Sequence, residues 1–244
     1  MSFEQTHMAF LASDAQHDLS NRFIAQMRGD NPRKAPDMIK ALLSNILNDT
    51  LDYYILQPAE ILEIKGGLLR VIKVGAAMIT KATLFFVKRV AGGLSIEQSI
   101  AGADYIENTR VLSEDENGKE ISYIAFPILD RTAEELRTVI ARIKDGHYGR
   151  TEKAQLTGVM IQLMEAGVDI YLRDPVKQMQ FTGLTAKLAK NTEQTVVKAL
   201  DRLISDMFPK LTHDQAIRYA AYLEDTILMV EVEEVDDETG AQTA

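Results

Sequence analysis

The stretch YIENTRVLSEDENGKEISYIAFPI, residues 105–128, interrupts an otherwise helical sequence. Its two ends are rich in β-branched and aromatic residues, and the middle, Ser113–Glu120, is polar. Asn117-Gly118 lies inside that middle, and both residues tolerate positive φ, so the stretch predicts a β-hairpin with a loop longer than two residues. Two strands alone are marginal, so the hairpin must rest on helices or join further strands.

Outward from this stretch, helical spacing dominates. Residues 3–28 read as a first helix with Phe10, Leu11, Leu19, Phe23, Ile24 and Met27 on one broad face. A second helix opens at Pro36, where the missing N–H costs nothing, and Pro58 stops it. A third runs from Ala59 to Ala91, interrupted at Gly66-Gly67. Ser95 with Gln98, Thr132 with Glu135, and Thr212 with Gln215 have capping-box spacing. The helix opened at Thr212 extends to Met229. Val168–Leu172 is short and β-branched enough for a strand. Residues 184–190 and 192–207 read as two helices around Asn191.

The expected fold class is therefore mainly α: about seven to eight helices with an inserted β-hairpin near 105–128. At 244 residues the chain can form one large domain or two tightly packed halves. It reads as a single helical domain over 1–230, followed by an acidic, unstructured tail over 231–244. No internal repeat and no sustained heptad pattern is legible.

Composition narrows the function. With no cysteine, disulfides, iron–sulfur clusters and thiolate zinc sites are excluded. The N-terminus lacks a basic, apolar leader, and no window of ~18 residues is apolar and charge-free. These features predict a cytoplasmic protein. Phosphate-loop, dinucleotide, zincin and nucleophile-elbow motifs are absent, and no cofactor or metal is expected. Glu4 and His7 have Glu-x-x-His spacing, but a di-iron site needs two such pairs. His17 beside Asp14 and Asp18, and the carboxylate pairs Asp49/Asp52 and Glu60/Glu63, read as solvated surface.

Charge is the informative feature. The net charge is −9, yet residues 65–96 hold Lys65, Arg70, Lys73, Lys81, Lys88 and Arg89 and no acid. On a helix, Arg70, Lys73, Lys81 and Lys88 fall on one side, amid apolar residues that include Phe85 and Phe86. The plain reading is a core helix with one wet edge. The functional reading is a docking ridge, formed with Arg89, for a protein partner; a peripheral membrane contact through residues 68–91 is an alternative. The acidic tail could also fold over that ridge. A third reading takes 184–204 as a helix-turn-helix presenting Lys187, Gln194, Lys198 and Arg202 to nucleic acid.

Overall fold

The computed structural model describes residues 2–233. Within them the fold is mainly helical, with eight helices of a dozen residues or more and one four-stranded antiparallel sheet. The order is β1 (Ser2–Leu11), α1 (Asp14–Arg28), α2 (Pro36–Leu51), a π-helical turn (Asp52–Leu56), α3 (Gln57–Ile61), α4 (Gly66–Val90), α5 (Ile96–Thr109) and β2 (Arg110–Glu114). It continues with β3 (Glu120–Pro127), α6 (Asp130–Lys144), α7 (Arg150–Val168), a second π turn (Asp169–Arg173), α8 (Asp174–Gln178), α9 (Gly183–Met207), α10 (His213–Glu224) and β4 (Ile227–Glu233).

The second series of elements repeats the first. Asp52 and Asp169, Tyr54 and Tyr171, Pro58 and Pro175, Leu94 and Leu211, Gln98 and Gln215, and Tyr105 and Tyr222 are identical pairs at one constant spacing. So are Gly66 (φ 65°) and Gly183 (φ 55°), which open α4 and α9 in a conformation that glycine adopts without strain. Among the described residues, the two non-glycine residues with positive φ are Glu63 (49°) and Gln180 (50°), again at that spacing. Through the first strand and helix of each half, the spacing is one residue shorter. The expectation of no internal repeat is therefore corrected. Few side chains are shared, and the repeat lies in the backbone and in its punctuation.

The halves are interleaved by an approximate two-fold axis. The strand order β2-β3-β1-β4 reads the same when the halves are exchanged. The axis passes the Ala9–Ala125 pair of β1 and β3. Reciprocal bonds flank it: Ala12 N–H donates to the Ser122 carbonyl, and Ile128 N–H to that of Thr6, both at 2.9 Å. Neither half pairs its own two strands with each other.

Both π turns precede a proline, and this has a local cause. A π turn closes N–H to the carbonyl five residues back, as Gln57 does to Asp52. Pro58 has no N–H, so the Tyr53 carbonyl is left open, and Pro175 does the same to Ile170. The opposite half supplies both missing donors. Tyr222 Oη donates to the Tyr53 carbonyl at 2.7 Å, and Tyr105 Oη donates to that of Ile170. The capping-box glutamines cross over as well: Gln98 Nε2 donates to the Met179 carbonyl at 2.9 Å, and Gln215 Nε2 to Leu62 at 2.8 Å.

Several local expectations change. Residues 2–11 are a strand, not helix. β1 sits at the centre of the sheet with Thr6 through Phe10 all buried, so strand alternation is absent and the apolar run resembles a helix face. Residues 105–109 belong to α5, so the hairpin spans β2 and β3 and forms half the sheet instead of an inserted arm. Pro58 does not stop the helix, because the π turn makes room for it. Residues 168–172 are helical for the same reason. The capping boxes at Ser95 and Thr212 form, whereas α6 begins at Asp130 and Thr132 Oγ1 donates to Gln162 Oε1 instead. The last helix ends at Glu224, and Glu231–Glu233 complete β4. The remainder of the acidic tail lies outside the described residues. Among the described residues, no helix is long and apolar enough to cross a membrane.

Candidate interaction face

α4 and α9 pack along each other at the centre of the molecule. At their crossing Gly75 faces Leu203, and a Cβ there would come within 3.2 Å of Leu203 Cδ1, so glycine permits the approach. α4 buries Ile72, Ala76, Ile79, Thr83, Val87 and Val90 on one side. The other side faces solvent and carries Arg70, Lys73, Lys81, Lys88 and Arg89, all exposed. Beside them lie Val74, Met78 and Phe85, which are 52%, 50% and 55% exposed.

Helical geometry organises this face. At ~100° per residue, Arg70, Lys81 and Lys88 lie within ~20° of one another, with Lys73 on one flank and Val74, Phe85 and Met78 on the other. The outer side of α4 thus has a cationic edge and an apolar edge. Arg70 to Lys88 spans ~27 Å at ~1.5 Å per residue. Among the described residues, none of the five cations pairs with a carboxylate. Some cations elsewhere are paired, as Arg28 is with Asp104 and Glu107, Lys144 with Glu224, and Arg173 with Asp169, Glu165 and Glu193. Hydrogen bonds to Asp169 and Glu193 raise the Arg173 guanidinium above its ordinary value. Phe86 does not share the fate of Phe85; it turns inward against Phe181 with ring centroids 6.2 Å apart.

The proposed helix-turn-helix is absent. Residues 184–204 lie in the single helix α9, and Asn191 makes no turn, because no glycine or proline breaks the ladder there. Lys187, Gln194, Lys198 and Arg202 are exposed along that helix, with Arg202 3.7 Å from Asp206. Two helices set at an angle, which would seat one in a groove, do not form here.

The acid–base candidates serve structure. Asp49 accepts from Ser13 Oγ at 2.9 Å, Asp52 from Gln57, and Glu63 pairs with Arg218. Glu4 and His7 lie on β1, and His7 Nδ1 donates to the Gln5 carbonyl at 3.1 Å. No group of three or more His, Asp or Glu that could hold a metal ion occurs among the described residues.

Sequence reasoning missed one constellation. His17 Nδ1 lies 3.1 Å from Ser122 Oγ, Asn21 Nδ2 lies 3.1 Å from His17 Nε2, and Arg110 Nη1 donates to Asn21 Oδ1. The guanidinium fixes the Asn21 amide, so Nδ2 must donate to His17 Nε2. Nδ1 then carries the proton and donates to Ser122. In this tautomer His17 cannot accept the serine proton, so the pair is not an activated nucleophile. The contacts span positions 17 to 122, and no linear spacing could have revealed them.

No family model, curated protein or solved structure matches the chain.

Proposed function

We propose that this chain is a non-enzymatic interaction protein that docks an acidic protein partner through the outward face of α4. One observation carries the reading: four exposed cations with no carboxylate partner among the described residues, Arg70, Lys73, Lys81 and Lys88, line one edge of a helix face whose other edge holds three half-exposed apolar side chains, with Arg89 just beyond them. Exposed apolar side chains that adjoin one another and are rimmed by polar groups mark interaction surfaces. An elongated partner could meet this face over ~27 Å, with carboxylates along one edge and an apolar strip along the other. The absence of cysteine fits a reducing compartment such as the cytoplasm.

A second reading has its own support in Phe85. A half-exposed aromatic beside lysines suits an anionic membrane surface, where each basic residue contributes ~1 kcal/mol. The reversal variant Lys73→Glu/Lys81→Glu/Lys88→Glu separates the two readings. All three side chains are exposed and, among the described residues, have no carboxylate partner, so the variant should melt within a few degrees of the parent. Affinity purification from the native host should recover an acidic protein with the parent and lose it with the variant. Flotation of the parent with phosphatidylserine vesicles, lost in the variant, would favour the membrane instead. A protein partner retained equally by both forms would remove α4 from the account.

A further inference from the structure

The two halves share a backbone but not an interior. The second half is filled: Leu136, Ile140, Ile143, Leu156, Phe208, Leu211 and Leu223 are all at most 2% exposed. The first half is hollow. A cavity of about 330 Å³ runs between α1, α2, α5 and the inner side of α4, is bounded by β3, and continues into the second half along α7 and α9 as far as Phe208 and Tyr219. No residue of α6, the counterpart of α1, lines it.

Three exchanges account for the difference. Phe208 and Tyr219 pack on each other with centroids 5.1 Å apart. Their counterparts in the first half are Ala91 and Gly102, and an added Cβ at Gly102 would meet nothing within 4 Å. Leu136 corresponds to Ser20. Two aromatic rings and a leucine that fill the second half are thus missing from the first, and the backbone has not collapsed to compensate.

Nor is the wall merely apolar. Gln16 Oε1, Thr50 Oγ1, Tyr54 Oη, Tyr171 Oη and Arg110 Nε are buried without hydrogen-bond partners, and all five residues line the cavity. Burial pushes both the Tyr54 and Tyr171 phenols well above their ordinary value. Arg110 is the informative member. Its counterpart is Ile227, and among the described residues no carboxylate pairs with it. The Arg110 side chain is half-buried and its Nη1 is held by Asn21, but Nε is buried with no partner, a state that costs free energy and that an anion in the cavity would relieve. The amide of Gln16 is held only by Ser20, at 3.1 Å, and can present either end to a head group.

We propose that the hollow first half binds a single-chain amphiphile with a carboxylate head, its chain among Leu42, Ile46, Phe86 and Val87 and its head at Arg110 and Gln16. The volume lies near the lower end for ligand pockets and is about twice that of an engineered cavity that takes benzene. It suits one chain of moderate length. The site rests on the inner side of α4 and on Arg110, and it does not depend on the docking role of the outer face.

The test is calorimetric titration of the full chain with decanoate and with 1-decanol. Decanoate should bind the parent. Ala91→Phe/Gly102→Tyr, which gives the first half the aromatic pair of the second, should abolish that binding; Ser20→Leu, a smaller filling, should weaken it if the double variant fails to fold. Arg110→Gln should weaken decanoate on the order of tenfold, the share of a charge-assisted hydrogen bond, and leave decanol unchanged. The site is overturned if decanoate fails to bind the parent, or binds a folded filled variant undiminished, since it would then sit on the surface. Equal loss of decanoate and decanol in Arg110→Gln would overturn the carboxylate assignment.

Discussion

At the scale of single residues, the fold is held by polar groups that answer specific vacancies. Tyr222 is one: its hydroxyl fills the carbonyl that Pro58 leaves open in the other half. Tyr222→Phe keeps the ring and orphans that carbonyl, so it should cost about 1 kcal/mol in urea unfolding, and more if water cannot reach Tyr53. A cost near zero would mean that the tyrosine is replaceable by solvent. His7 gives a second prediction. Desolvation by burial lowers its pKa from 6.5, against the opposing hydrogen bond to the Gln5 carbonyl. As pH falls below 6.5 the unfolded chain takes up a proton that the folded chain refuses. Stability is therefore intact above that pH and is lost as pH falls toward the folded value. Urea midpoints at about pH 7.5 and about pH 5.5 should differ more for the parent than for His7→Gln.

At the scale of elements, α4 does two things at once. Its inner side closes the hollow with Ile79, Thr83, Phe86 and Val87, while its outer side presents cations and Phe85. The sequence places the cations on one side correctly, because helical periodicity needs only local geometry. It does not say which of the remaining apolar residues are covered, since that depends on where α9 lies. Adjacent Phe85 and Phe86 differ by ~100° around the axis, and that rotation separates a surface side chain from a cavity wall. The π turns were equally unreadable. A proline after a helical run predicts a stop on local grounds, and only a tyrosine from the far half makes continuation affordable.

At the scale of the molecule, the two halves behave as a fused, approximately two-fold pair. Each contributes one central and one edge strand, and neither makes a sheet without the other. Cleaving the chain in the exposed turn at Asn117–Gly118 should yield fragments that do not fold separately but recombine. Co-expression of residues 1–117 and 118–244 should give a one-to-one complex with the parent's circular dichroism, checked by size exclusion. A folded, monomeric single fragment would contradict the interleaving.

The sequence by itself determined the helical class, the hairpin turn at Asn117-Gly118, the capping boxes at Ser95 and Thr212, and the cationic side of α4. All of these are set within a few residues by backbone geometry and periodicity. Only the tertiary structure decided that β1 is a central strand, that 184–204 is one helix, and that the chain is a repeat. Each depends on neighbours distant in the chain: a strand buried on both faces loses its alternation, and two halves can share a backbone while almost every side chain differs. The hollow is the clearest case. Ala91, Gly102 and Ser20 are unremarkable in a row of letters, and become a site only beside Phe208, Tyr219 and Leu136, which fill the same space on the other side of the axis.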